Sequence, residues 1–127
     1  MKKFLGKIMV NHVMSWTLLI LLASVIALPL PALSDELAAN RLIVGIGCYQ
    51  PGNTCFVALD GSTFGAGEKC AVGATTEIRW DDADQPNGKR TFAALYSAYL
   101  MGKHVNVYIH GCSKEGRPTL YYYYVHN

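Results

Sequence analysis

The residues of this 127-residue chain that best suit ligand chemistry are aromatic, and four of them run together from Tyr121 to Tyr124. Alternate side chains of an extended strand point to opposite faces, so Tyr121 and Tyr123 are expected to share one face. Their rings can stack on sugars while their hydroxyls form hydrogen bonds. Together with Tyr49 and Trp80, they form the candidate ligand-binding set. Ordinary packing of a tyrosine-rich strand is the alternative.

An acidic cluster at Asp81, Asp82 and Asp84 has some features of a calcium-binding loop. Counted from Asp82, however, the sixth position is Asn87 where such a loop needs glycine, and the twelfth is Ala93 where it needs glutamate. We therefore predict a structural loop whose charge favours the start of a helix. No metal site and no cofactor are expected.

Three histidines, His104, His110 and His126, are the candidate acid–base groups in the second half of the chain. Catalysis by a nucleophile would also need an activated serine or cysteine. No serine stands in the G-x-S-x-G context of a nucleophile elbow. We therefore predict that the protein is not an enzyme and that these histidines are solvated or satisfied by neighbours.

The N-terminal segment has the layout of a secretory signal peptide. Three lysines lie within the first seven residues, and Trp16 to Leu30 is apolar except for one threonine and one serine. This run is shorter than the roughly 20 residues of a membrane span, and small residues follow at 32–34. We predict that residues 1–34 are removed, with cleavage after Ala39 or an uncleaved anchor as alternatives. Residues 35–127 would then form one domain, secreted or periplasmic, without a membrane span.

The four cysteines, Cys48, Cys55, Cys70 and Cys112, all lie in the predicted exported part. An even number in an oxidising compartment indicates two disulfides. Zinc is the alternative, but Cys-x6-Cys is not the spacing of a zinc knuckle. Among the three pairings we predict Cys48–Cys55, whose members flank a turn, and Cys70–Cys112.

The charge of the predicted mature chain argues against nucleic acid as a partner. Without the three N-terminal lysines, eight basic residues face nine acidic ones, a formal charge of −1, although the whole chain carries +2. No lysine or arginine cluster supplies the electrostatic footprint that phosphate backbones require. Partners are therefore sought among glycans and protein surfaces.

Strand and helix patterns alternate in a recognisable order. A helix is expected to begin after an Asn87 cap and to end at Gly102, and a polar lead is expected at 35–40. Strands are predicted at Arg41–Cys48, Cys55–Leu59, Thr75–Trp80, Val105–His110 and Leu120–His126. The order β-β-β-α-β-β is that of the five-stranded oligonucleotide/oligosaccharide-binding (OB) barrel, a mainly β fold with the helix between strands three and four. A flat antiparallel sheet with one helix is the alternative.

The predicted helix has two faces of different character. An apolar stripe is expected to face the core, and it comprises Phe92, Leu95, Tyr96, Tyr99 and Leu100. The opposite face lacks charge and is the candidate subunit interface, comprising Ala94, Ser97, Ala98 and Met101. Small residues allow another surface to approach closely. A monomer with an alanine-rich helix is the alternative.

Several segments in this order resemble a group of small exported bacterial proteins. They are Glu77–Asp81 (EIRWD), Pro86–Lys89 (PNGK), the helix end Met101–Lys103 and the strand Val105–Cys112. The group is similar to the B subunit of subtilase cytotoxin and to related pentameric toxin B subunits. The resemblance spans Ile43–Val125 and implies an OB fold. For the toxin members it further implies a ring of five, binding of sialylated host glycans and a toxic A subunit as partner.

The expectation from the sequence is therefore an exported, non-catalytic binding protein that recognises host-type glycans. A periplasmic structural or interaction protein remains the alternative. Such a protein would assemble with itself or bind an envelope partner.

Overall fold

The computed structural model describes residues 36–127, so the predicted signal peptide at 1–34 lies outside the described residues. The strands are β1 (Glu36–Tyr49), β2 (Thr54–Leu59), β3 (Glu77–Trp80), β4 (His104–Cys112) and β5 (Pro118–His126), and the helix is α1 (Pro86–Met101). A short 3₁₀ turn covers Ala66–Glu68. The described chain is mainly β, with one helix between its third and fourth strands, as predicted.

The five strands close into a barrel in the order β1-β2-β3-β5-β4, so β5 lies between β3 and β4. Most neighbours are antiparallel and share several residue pairs. The exception is β3 with β5, which run parallel and are joined by the single pair Arg79 and Thr119. The order around the barrel therefore differs from the order along the chain, and the β3–β5 seam is its weakest join.

Strand β1 starts earlier than the sequence indicates. It begins at Glu36, whose partner is Ile109 on β4, and a register shift follows between Ala38 and Arg41. Asn40 adopts a left-handed φ of 53° at that irregularity. The prediction of a polar lead at 35–40 is wrong, because pairing with β4 outweighs the weak strand propensity of these residues.

The barrel interior is filled by alternate residues of each strand. The predicted alternation in β4 is confirmed, since Val105, Val107 and Ile109 are completely buried. Facing residues of β2 and β3, such as Val57 and Ile78, complete this layer. The helix adds its own side chains to the same cluster.

Helix α1 begins at Pro86, two residues earlier than a cap at Asn87 would allow. Gln85 is the N-cap, in an extended conformation (φ −73°, ψ 157°) and without a side-chain capping bond. The prediction that Asn87 caps the helix is wrong, because Pro86 already has the φ that a first helical residue needs. The oxygen of Asn87 accepts instead from Arg90. The predicted end is confirmed, since Gly102 is left-handed with φ 61°.

The buried face of α1 is centred on Leu95 and Ala98, both with no exposed surface, and includes Gly88 in the first turn. The predicted stripe is therefore wrong in part, because three of its members are exposed: Tyr96, Tyr99 and Leu100. Small side chains at Gly88 and Ala98 let the helix backbone lie close to the barrel. Bulky rings on that face would hold it away.

Two disulfides tie the described chain together. Cys48–Cys55 joins β1 to β2, and Cys70–Cys112 joins the loop after β2 to the end of β4. This is the pairing expected from the sequence. Within residues 36–127, no helix has the length and apolar character needed to cross a bilayer.

Candidate ligand-binding cleft

A cleft of about 600 Å³ opens between the start of α1, the loop after β3 and strand β5. Three of the four predicted ligand residues line it: Trp80, Tyr121 and Tyr123. The rest of the lining consists of Gly88, Leu120, Tyr122 and five polar side chains, Asp81, Asp82, Gln85, Asn87 and Thr91. None of these polar residues was assigned to a site from the sequence, although Asp81 and Asp82 directly follow Trp80.

The cleft exists because β3 is short and β5 is long. Strand β3 ends at Trp80, and its pairing with β5 ends at Thr119. Beyond that pair, Leu120 and the residues after it have no strand partner on this side within the described chain. The cleft occupies the space beside this open edge.

Gly88 sets the distance between the helix and the acidic loop. A Cβ at this position would lie 2.5 Å from the Cα of Ala83 and 2.7 Å from the carbonyl oxygen of Asp82. Only glycine therefore allows the first turn of α1 to pack on this loop. This contact fixes two walls of the cleft, the first turn of α1 and the acidic loop, against each other.

The acidic residues of the loop are anchored to different degrees. Asp81 is fixed at both oxygens, because Oδ1 accepts from Thr54 Oγ1 at 3.0 Å and Oδ2 from the backbone N–H of Lys114 at 2.9 Å. Asp82 is exposed and pairs with Lys114 Nζ at 3.3 Å. Among the described residues, no group of three or more His, Cys, Asp or Glu side chains is arranged to hold a metal ion.

Trp80 lines the cleft and carries a buried hydrogen-bond donor without a partner in the described chain. The residue is only 6% exposed, and its Nε1–H has no hydrogen-bond partner within the described chain. Burying a donor without a partner destabilises a fold, so such groups require an explanation. The nitrogen itself is buried, so a ligand oxygen in the cleft reaches it only if neighbouring side chains move.

The two cleft-lining tyrosines of the predicted set differ in burial. Tyr121 is 73% exposed, whereas Tyr123 is half-buried and packs on the core. An irregularity in the β4–β5 register leaves Tyr121 unpaired between the paired residues Leu120 and Tyr122. This bulge interrupts the simple alternation expected from the sequence. It leaves the Tyr121 ring at the cleft, 5.7 Å from the ring of His110.

Tyr49 is the predicted ligand residue that the structure does not bring to this cleft. Its hydroxyl accepts from Arg79 Nη2 at 3.1 Å, and the guanidinium carbon lies 4.8 Å from its ring centroid. Arg79 also donates to Glu77 and Glu115. Burial alone would lower the pKa of Arg79, but the bonds and charges of these two carboxylates raise it above its ordinary value. Tyr49 therefore belongs to a permanently charged structural cluster.

The candidate acid–base histidines also lie outside the residues that line the cleft. His104 and His126 are neighbours across β4 and β5, with ring centroids 6.1 Å apart. His126 Nε2 lies 3.1 Å from Asn106 Oδ1, which also accepts from the backbone N–H of Asn40. These contacts are typical of a surface network on the strands.

The predicted interface face of α1 is only partly available. Ala98 is buried in the chain's own core, so its assignment to an exposed interface is wrong. Ala94 is half-buried, and the exposed Ser97 turns its hydroxyl back to the Ala93 carbonyl at 2.8 Å. Met101 is exposed. The apolar helix surface that faces outward instead comprises Tyr96, Tyr99, Leu100 and Met101, and we call it the outer helix face.

The cleft combines an exposed ring, a buried indole N–H and a row of side-chain oxygens. Such a combination suits a small polar ligand that is held by stacking and hydrogen bonds. Comparisons of the chain with protein-family models, with curated proteins and with solved structures found no match. Function is therefore inferred from the residues of the cleft and from the sequence pattern.

Proposed function

We propose that the protein is an exported, non-catalytic glycan-binding protein with an OB-type barrel, of the kind that the resemblance to toxin B subunits implies. One observation carries the proposal. Trp80, Tyr121 and Tyr123, singled out as aromatic ligand residues, line one cleft together with polar side chains. Aromatic rings flanked by hydrogen-bonding groups are suited to the apolar faces and hydroxyls of a sugar.

The barrel order supports the OB assignment. The OB fold is a five-stranded Greek-key barrel that is partly open, and the described strands form a closed five-stranded barrel whose β3–β5 seam has a single residue pair. The helix lies between β3 and β4 along the chain. Folds of this type bind oligosaccharides in several known settings, which is an argument by analogy.

The hydrogen bonds that Asp81 already accepts support a role in binding rather than in hydrolysis. Canonical glycosidases use two carboxyl groups, one to protonate the leaving oxygen and one to attack or to activate water. Asp81 already accepts at both oxygens, from Thr54 and from Lys114. Asp82 is the other carboxylate among the described lining residues, and it accepts from the exposed Lys114 Nζ at 3.3 Å.

The two disulfides support export. Disulfides persist in secreted and periplasmic proteins and are rare in the reducing cytosol. All four cysteines of the chain are joined in pairs.

A glycan array tests the proposed function directly. We expect binding to a defined subset of glycans and a loss of about tenfold in affinity for Tyr121→Ala, the range of one aromatic contact. Tyr124→Ala is the matched control, because Tyr124 is exposed on the same strand but does not line the cleft. An array without a single bound glycan would refute the proposal.

The second candidate function is that of a self-assembling interaction protein. Two observations favour it, the open edge of β5 and the outer helix face. Unpaired strand edges readily accept another strand, and an apolar helix surface needs a covering partner. In that case the two surfaces would serve contacts between copies, and the function would not require a sugar in the cleft.

A further inference from the structure

We propose that the cleft selects a neutral pyranose and discriminates against carboxylated sugars. This inference rests on the proposed glycan-binding function and names the ligand class of the same site. It departs from the sialylated ligands that the family resemblance implies. Charge, hydrogen-bonding capacity and ring exposure each support it.

The charge of the cleft is acidic. Asp81 and Asp82 both line it, whereas no lysine, arginine or histidine is among its described lining residues. Lys114 pairs with Asp82, but the two side chains are 66% and 70% exposed, and ion pairs of that kind are weak. The N-terminus of α1 contributes roughly half a positive charge, which is less than the negative charge of the two carboxylates. A carboxylated ligand would therefore enter a field of its own sign.

The hydrogen-bonding groups of the cleft suit a ligand that both donates and accepts. The carboxylate of Asp82 only accepts, the amides of Gln85 and Asn87 also donate, and Asn87 Oδ1 already accepts from Arg90. A sugar hydroxyl both donates and accepts, so one ring can satisfy both kinds of group. An ionised carboxylate only accepts, so it offers no hydrogen bond to the Asp82 carboxylate.

The aromatic wall favours an uncharged ring. Tyr121 presents an exposed ring to the cleft, and its neighbour Tyr123 belongs to the half-buried wall. Stacking buries the apolar C–H face of a pyranose against such a ring, which costs little when that face carries no charge. The cleft of about 600 Å³ has room for one or two sugar rings of ordinary size.

The test compares sugars that differ in one group. The exported protein is labelled with ¹⁵N and titrated with methyl β-glucoside and methyl β-galactoside, each beside its uronic acid counterpart. The indole N–H signal of Trp80 is the reporter, assigned by its disappearance in Trp80→Phe. We expect a neutral glycoside to shift this signal and its uronic acid to bind at least about tenfold more weakly at low salt. The difference in affinity between the neutral glycoside and its uronic acid should decrease as salt screens the charge of the aspartates.

Two variants connect the selectivity to the loop. Asp82→Asn should shrink this difference severalfold, and asparagine is well tolerated at the left-handed φ of 55° that Asp82 adopts. Asp84→Asn is the matched control, because Asp84 lies in the same loop but does not line the cleft. It should leave the ratio of affinities unchanged.

The outcomes separate this inference from the proposed function. If a uronic acid or 3′-sialyllactose binds as tightly as the neutral glycosides, the selectivity is refuted while glycan binding stands. An unchanged ratio in Asp82→Asn also refutes the selectivity. If no sugar moves the Trp80 signal, both the selectivity and the proposed glycan function are refuted.

Discussion

Gly88 shows how one missing side chain shapes the site. Gly88→Ala would bring a Cβ within 2.5 Å of Ala83 and should lower the free energy of unfolding by about 1–3 kcal/mol. This cost exceeds the gain of about 1 kcal/mol that alanine usually brings inside a helix. Urea denaturation with an unchanged m-value measures the difference. Ser97→Ala, on the exposed side of α1, is the control and should change little. A more stable Gly88→Ala variant would contradict the packing.

Arg79 offers a residue-scale test outside the cleft. Arg79→Lys keeps the charge but loses the planar fork that reaches Glu77, Glu115 and Tyr49, and should destabilise by about 1–3 kcal/mol. Thermal denaturation measures it, with Arg117→Lys as control because Arg117 Nε is 3.6 Å from Glu77 and more exposed. Equal melting temperatures for wild type and Arg79→Lys would contradict the structural cluster.

The charge of Arg79 also sets an expectation for pH. Its pKa is raised in the folded protein, so the stability it contributes is fully present below the ordinary arginine pKa and is lost only as pH rises through the folded pKa. Arg79 therefore adds no pH dependence near neutrality.

The structural role of a residue could be predicted from the sequence where a local rule determines it. The cysteine pairs follow from a turn and from strand ends, and Gly102 ends the helix as a left-handed residue should. The cap at Asn87 could not be predicted, since Pro86 and Asn87 each favour the first positions of a helix and only the packing decides. The hydrogen-bond partner of Tyr49 is Arg79, which is 30 residues away along the chain, so no local rule predicts this contact.

At the scale of the element, the orientation of α1 depends on what it packs against. The hydrophobic stripe indicates an amphipathic helix, but it does not distinguish a face that permits close approach from one that is merely apolar. Leu95 belongs to both and was correctly expected in the core. Ala98 was expected outside, because alanine carries little periodic signal of its own.

A pair of leucines tests this orientation. Leu95→Ala should cost roughly 2–5 kcal/mol, because Leu95 has no exposed surface and its removal leaves a cavity. Leu100→Ala is the matched control with a much smaller expected loss, since Leu100 is 65% exposed. Chemical denaturation compares the two variants. A similar loss at both positions would show that the stripe, rather than the Ala98 face, lies on the barrel.

The disulfides differ in the length of chain they enclose. Their cysteines are 7 and 42 residues apart, and in the chain-entropy model the longer loop is worth about 4 kcal/mol against about 2.5 for the shorter. We expect Cys112→Ala to lower the melting temperature more than Cys55→Ala. The opposite ranking would show that local packing around Cys55 outweighs the loop entropy.

At the scale of the whole molecule, the order of elements could be predicted but the cleft could not. Alternation and turn residues mark five strands and a helix, and the strand boundaries follow to within a few residues, except at the start of β1. The cleft depends on a length mismatch, since β3 has 4 residues and β5 has 9. That mismatch has an effect only because β5 inserts beside β3, a long-range pairing that no local pattern of residues reveals.

The burial of Ala98 changes which residues can test self-assembly. Glutamate at Ala98 would bury a charge in the core and unfold the subunit, so it cannot report on an interface. The outer helix face and the open edge of β5 are two different patches, as a head-to-tail ring requires. We therefore expect light scattering at tens of micromolar to find a closed oligomer, with the ring of five that the resemblance implies.

Leu100→Glu should reduce that oligomer to single chains without changing the fold, because it places a charge in the contact that the exposed outer helix face makes with the next copy. Lys114→Glu is the control, since it changes an exposed charge by two units in the loop after β4, away from the helix. Circular dichroism checks that both variants remain folded. If the wild-type protein has the mass of one chain at this concentration, the ring is refuted. An oligomer that survives Leu100→Glu would show that its interface lies on another surface, such as the β5 edge, and not on the helix.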